Sequence, residues 1–134
     1  MDTSSHARHA LTYALENHPE SEVTVLHVVG VPSMMMGEAV GLTLEADLEA
    51  AAVDRAAPVI ERAREIARER EREIDTIVGI GHPARNILER APDYDAIILG
   101  AHGADSGRVP HRFLVGNIAN TVVARSPVPV TIVR

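Results

Sequence analysis

Apolar positions along this chain alternate between a helical and an extended spacing. Ala7, Ala10, Leu11, Ala14 and Leu15 recur at three- and four-residue intervals, which predicts a first helix capped by Ser4 or Ser5 and stopped before Pro19. Val23 to Val29 is a continuous run closed by Gly30, the pattern of a strand buried on both faces. Between Val31 and Thr43, three consecutive methionines and two glycines predict a loop. Leu44 to Arg72 reads as a long amphipathic helix with Leu44, Leu48, Ala52, Val59, Ala63, Ile66 and Ala67 on one stripe. Pro58 is expected to kink or break it near Ala57. A second strand follows from Ile74 to Ile80, Pro83 opens a short helix to Arg90, and Ala96 to Gly100 is a third strand. A glycine-rich loop to Val115, a helix from Asn117 to Arg125 and a strand from Pro129 to Val133 complete the chain.

Strands separated by helical crossovers define an α/β class: an open parallel sheet with right-handed connections and helices on both faces. The 134 residues form a single domain, 1–134. One feature breaks the alternation. The first helix has no strand before it, and Met1-Asp2-Thr3-Ser4-Ser5 is the kind of turn by which a chain leaves a sheet, so the sequence is expected to start one strand late.

Composition narrows the function classes. Tyr13, Tyr94 and Phe113 are the three aromatic side chains, so the core is aliphatic. There is no cysteine, which removes disulfides, thiolate metal sites and cysteine nucleophiles. Nineteen acids oppose thirteen bases, all of them arginine, for a net charge of −6. An acidic, tryptophan-free domain lacks the basic face and stacking rings that nucleic acid requires. A lysine-free acidic surface fits a salt-adapted cell, and a GC-rich codon bias produces the same replacement of lysine by arginine. No apolar run is long enough to span a bilayer and no charged-then-apolar leader opens the sequence, so a soluble, cytoplasmic location without membrane contact is expected.

Ligands of open parallel sheets bind beyond the carboxyl ends of the strands. The richest loop there is Gly100-Ala101-His102-Gly103-Ala104-Asp105-Ser106-Gly107, which leads to Gly116-Asn117 at a helix start. Glycines let backbone N–H groups approach a ligand, and a helix N-terminus adds unpaired donors and partial positive charge. Together they make an anion or phosphate cradle. A glycine-rich connection that binds nothing is the competing reading. Gly79-Ile80-Gly81 lacks the third glycine of a dinucleotide fingerprint, and the absence of lysine excludes a P-loop.

Other candidates are weaker. His6 and His9, at helical i, i+3 spacing, read as a surface pair with no third ligand to complete a metal site. His27 reads as a hydrogen-bonded core histidine, while His102 either faces phosphate or closes its loop. The run from Arg62 to Glu73 is a solvated helix face laced with ion pairs. Met34-Met35-Met36 reads as a mobile loop, with an apolar lid as the alternative. No nucleophile elbow or catalytic triad is present, and an enzymatic role is not expected.

In order and rough spacing, four segments resemble the universal stress protein family. They are Leu26-His27-Val28-Val29, the turn Gly79-x-Gly81-x-Pro83, the loop Gly100-Ala101-His102-Gly103, and the ending Arg125-Ser126-Pro127-Val128-Pro129-Val130. The resemblance covers essentially the whole chain. It implies a five-stranded Rossmann-like sheet of order 3-2-1-4-5, here without its first strand, and a homodimer joined through the last strand, Val128 to Val133. It also implies a stress-linked role with ATP, accompanied by magnesium, or AMP bound in some members. By this resemblance Asp2 matches the position that contacts adenine and Val28 lines the base pocket. Leu99, Gly100, His102 and Gly103 belong to the loop around ribose and phosphates, and Gly116, Asn117 and Ile118 match the phosphate-binding helix start.

Two departures stand out. The ATP-binding pattern has a shorter spacer than the twelve residues between Gly103 and Gly116, and it places Ser or Thr where this chain has Asn117. An asparagine amide also donates to phosphate, and the inserted Arg108, His111 and Arg112 supply cationic donors. The expected activity is therefore that of a nucleotide-responsive binding module, with a nucleotide-free dimerising module or a weak ATP hydrolase as alternatives.

Overall fold

A computed structural model describes residues 1–30, 43–103 and 115–134. Its elements follow the predicted alternation: α1 (Ser5–Asn17), β1 (Thr24–Val29), α2 (Thr43–Arg68), β2 (Asp75–Ile80), α3 (Pro83–Arg90), β3 (Ile97–Gly100), α4 (Asn117–Arg125) and β4 (Val130–Val133). A 3-10 turn, Ala91–Asp93, links α3 to β3. Of the loop predicted from Val31 to Thr43, residues 31–42 with the Met34–Met36 run lie outside the described residues, as does the insertion carrying Arg108, His111 and Arg112, while Thr43 already begins α2.

Ser4 caps α1, its Oγ accepting from the Ala7 N–H at 3.1 Å. The predicted stripe of α1 is buried at Ala10, Leu11, Ala14 and Leu15, and it meets Val25 of β1 and Ala63, Ile66 and Ala67 of α2 in one aliphatic cluster. α1 and α2 thus share one face of the strands, while α3 and α4 pack on each other, against β1, β2 and β4.

The break expected at Pro58 and the expected reach to Arg72 are both corrected in α2. Pro58 lies inside the helix and does not end it. Ala56, Val59, Ile60, Ala63 and Ile66 are buried on both sides of the proline, while Pro58 itself is exposed. Full burial of each large side chain stabilises by about 1.5–3 kcal/mol, so together they outweigh the roughly 3 kcal/mol cost of an interior proline. The helix also stops at Arg68, short of Arg72. Glu71 takes a left-handed φ of 53°, and the Arg72 N–H returns to the Ala67 carbonyl at 2.9 Å. The Arg72 guanidinium then donates to the carbonyls of Leu15, His18 and Ser21, pinning this corner to the end of α1.

The strands are parallel throughout but form two separate ladders among the described residues, β1 with β2 and β3 with β4. Thr24 pairs Asp75 and Val29 pairs Ile80; Ile97 pairs Val130 and Gly100 pairs Val133. In a parallel ladder alternate residues turn both backbone groups to the same neighbour. Val23 and Val29 carbonyls accept from Asp75 and Gly81, so Thr24, Leu26 and Val28 face away from β2. By the same logic Ile98 and Gly100 face away from β4, because Ile97 and Ala101 donate to Pro129 and Val133. The Leu26 carbonyl takes the Met1 ammonium, and the His27 ring bonds the Met1 carbonyl through Nδ1.

Burial differs from the expectation of strands buried on both faces. Val25 and Gly79 are buried, whereas the other strand residues are half-buried or, at Asp75, exposed. His27 is hydrogen-bonded as expected, yet half-buried. No helix among the described residues is long and apolar enough to cross a membrane.

Candidate functional site

The carboxyl end of β3, the turn into α1 and the start of α4 meet along one rim. Asp2 makes the turn, its Oδ1 accepting from the Ser4 N–H at 2.8 Å. Ser4, besides capping α1, donates its hydroxyl to the His102 carbonyl at 3.4 Å. A Cβ built on Gly103 would stand 3.0 Å from Asp2 Oδ2, so the aspartate and the loop after β3 are in contact range on the same rim.

Gly100 has a steric reason of its own. A Cβ there would lie 2.7–2.8 Å from the backbone of His6, so any larger residue would push the first turn of α1 off the end of β3. On the other side, the Gly116 N–H donates to the Ala101 carbonyl at 2.7 Å and fixes the N-terminus of α4 to the same loop. Gly116 is the N-cap of α4 and supplies no side-chain cap, in contrast to Ser4 on α1. Among the described residues no side chain caps this helix start, and the helix dipole there favours a negative charge.

Asp2, Gly100, His102, Gly103 and Gly116 are thus brought together, with Asn117 and Ile118 exposed in the first turn of α4. Leu99 is half-buried at the end of β3, opposite Ile132. Val28 lies near the end of β1, where its side chain faces the Gly79 position at 3.4 Å. It joins the rim only through its neighbours Leu26 and His27, which hold Met1. Asn117 directs its carbonyl to the Thr121 hydroxyl at 2.9 Å.

Sequence reasoning missed His6. Assigned to a surface pair with His9, it sits edge-on to the His102 ring, with centroids 5.3 Å apart and planes at 75°. Nothing in the local pattern signals a contact across 96 positions; the one indirect clue is the glycine at 100. No group of three or more metal-ligating side chains occurs among the described residues.

Two clefts among the described residues lie away from the rim. One, of about 640 Å³, lies between α2, β2 and α3 beside Asn86. The other, of about 430 Å³, lies by Arg64, Arg68 and Arg72. Residues 104–114, which follow Gly103, lie outside the described residues.

Parallel strands with α/β connections, and a glycine-lined rim at the strand ends, define a Rossmann-like protein of the open-sheet class. The model of the universal stress protein family matches residues 1–134, and the chain belongs to that family. Among solved structures, the universal stress protein UspA from Lactobacillus plantarum is 27% identical with a TM-score of 0.73, covering 100% of this chain and 93% of its own. Hypothetical protein MJ0577 is 26% identical with a TM-score of 0.76, covering 99% and 90%. A universal stress protein from Archaeoglobus fulgidus, solved in complex with dAMP, is 19% identical with a TM-score of 0.67, covering 100% and 92%. Comparison with curated proteins finds no match.

Proposed function

We propose that this protein is an adenine-nucleotide-binding regulatory module of the universal stress protein type, and that the rim between Asp2 and Gly116 is its nucleotide site. The observation that carries this reading is the meeting of the Asp2 turn with the Gly100–Gly103 loop beside the uncapped start of α4. In the proposed arrangement the Asp2 carboxylate accepts from the adenine, with Val28 and Leu99 as apolar neighbours. Gly100, His102 and Gly103 admit the ribose and phosphates, and the first N–H groups of Gly116, Asn117 and Ile118 receive the terminal phosphate. Family membership supports this, as do the A. fulgidus relative in complex with dAMP and a further universal stress protein, 18% identical, in complex with cAMP.

In this reading AMP needs only the donors already named. ATP with magnesium would extend beyond Asn117, whose amide replaces a hydroxyl in donating to phosphate. Bound nucleotide would order the loop after Gly103 and change the surface it offers to a partner protein in the cytoplasm. Homodimer formation through Val128 to Val133 is part of the same proposal. Pro129 and Val133 turn their carbonyls to β3, so Val130 and Ile132 face the outer edge of β4, where a second copy would pair.

Calorimetric titration with AMP, and with ATP plus magnesium, at low and high salt tests the reading. Saturable heat that Asp2→Ala weakens by tenfold or more is expected. No heat and no thermal shift at millimolar nucleotide would reject nucleotide binding and leave the dimerising module. Phosphate release above background would instead favour hydrolysis.

A further inference from the structure

We infer that the outer edge of β2 docks a second copy of this chain, β2 against β2, antiparallel about a two-fold axis at Ile77. The inference is independent of the nucleotide site and of pairing through β4. Asp75 and Gly81 donate to the Val23 and Val29 carbonyls, so Asp75, Ile77 and Gly79 turn their peptide groups to β1. Thr76, Val78 and Ile80 turn theirs the other way, where no strand pairs them among the described residues. One of these groups is already answered, because the Ile80 carbonyl accepts from Asn86 Nδ2 at 3.0 Å. Both groups of Thr76 and of Val78 remain, and they select the register. With Ile77 on the axis, Thr76 of one copy faces Val78 of the other, and the two exchange N–H···O=C bonds on either side of the axis. An axis at Val78 would instead pair Thr76 with Ile80, whose carbonyl is taken.

Side chains match on both faces of this joint. The Gly79 position meets Asn86 of α3, and the Thr76 hydroxyl accepts from Arg64 of α2 at 3.4 Å. Asp75, Ile77 and Gly79 therefore point to the α3 face, and Thr76 and Val78 to the α2 face. On the α3 face the register sets Asp75 opposite Gly79 of the second copy, where no side chain stands in its way. Asp75 is exposed and has no ion pair among the described residues. Arg90 waits at that corner: it is half-buried, and its Nη1 donates to the Asn86 carbonyl and Oδ1 at 3.1 and 2.9 Å. It too lacks a carboxylate partner among the described residues, whereas Arg85 and Glu89 beside it pair with each other. Glu49 faces the same cleft from α2. On the α2 face, Val53 is 57% exposed and lines the cleft with Val78 and Ile80. α2 packs on both β1 and β2, so its two copies across the joint stand two strand spacings apart, about 10 Å, the distance at which helices pack. Small exposed residues, Ala50 and Ala57, flank Val53 there.

The Val78 N–H serves only the outer edge, so Val78→Pro keeps the ladder with β1 and removes the joint. Ile132→Pro blocks the outer edge of β4 in the same way. Sedimentation of the full chain and of these variants, from micromolar to millimolar protein, reads the two edges separately. The unaltered chain should form species larger than a dimer, Val78→Pro should stop at the dimer, and the double variant should be monomeric. In the Ile132→Pro background, Asp75→Arg should weaken the remaining association about tenfold. Mixing it with Arg90→Asp should restore association, because each reversed charge then meets its opposite on the other chain. Circular dichroism checks that Val78→Pro folds, and the charge-reversed pair tests the joint without it. Val78→Pro sedimenting like the unaltered chain at every concentration would overturn the inference and leave pairing through β4 standing. So would a mixture no more associated than its components. An unaltered chain that is monomeric at millimolar protein would remove both edges as interfaces.

Discussion

At two corners of this molecule a neighbour occupies the space where a Cβ would stand, and the two corners use that closeness differently. Where β2 turns into α3, the intruder at Gly79 is the Asn86 amide. Asn86 is 7% exposed, and every polar atom of its side chain is engaged. Its Nδ2 donates to the Ile80 and His82 carbonyls at 3.0 and 3.1 Å, and its Oδ1 accepts from Arg90 at 2.9 Å. Where β3 turns toward α4, the intruder at Gly100 is the backbone of α1, and beyond it the helix start at Gly116 has no capping side chain. The first corner is a closed hydrogen-bond network that fixes a turn. The second brings elements together at a helix start that no described side chain caps. A Gly-x-Gly spacing is common to neither function; what differs is whether the polar groups around the glycine are already answered.

The sharpest way to break the comparison is Gly100→Ala. The new methyl would meet main chain, which cannot rotate aside, so α1 must shift from β3 at a cost of about 3 kcal/mol. Urea denaturation reads the loss, and nucleotide affinity should fall with it because Asp2 rides on the same turn. Asn86→Ala comes next. It leaves the Ile80 carbonyl and its partners unanswered in a buried corner, for about 2 kcal/mol, but nucleotide affinity should stay unchanged. An equal loss of affinity in the two variants would erase the distinction drawn here.

A smaller effect concerns Met1. Burial pushes its ammonium below the usual value of 8.0, and Asp2 only partly opposes this. The unfolded chain then binds more protons than the folded one, so stability should rise with pH from the lowered folded value up to about 8 and level off above it. Denaturation midpoints at several pH values check this, and acetylation of the terminus should flatten the curve. Smallest of all, Arg85→Gln should leave stability unmoved, since its pairing with Glu89 at 2.8 Å is fully on the surface.

Much of this molecule was legible along the chain. The Ser4 cap, the apolar stripe of α1, Pro83 at the start of α3 and the limits of α4 depend on neighbours within a turn or two, where cap chemistry and periodicity act. A break at Pro58 and a helix reaching Arg72 are absent for the same physical reason. Local rules counted a proline penalty and a helix-forming arginine. Burial of Val59 and Ile60, and three carbonyls from the end of α1, decided otherwise. The chemistry of the rim was half legible: its glycines and helix start carry composition and dipole, whereas the approach of α1 to Gly100 leaves no local trace.

Sequence alone therefore determined the α/β alternation, the aliphatic core, the acidic charge and the residue types available at the strand ends, because these follow from short-range periodicity and composition. Only the tertiary structure decided that the strands pair in two ladders, that Asp2 and Gly103 share an edge, and that His6 meets His102. Contacts between distant segments are fixed by how whole elements pack, and packing is a property of the assembled surfaces rather than of any stretch of chain.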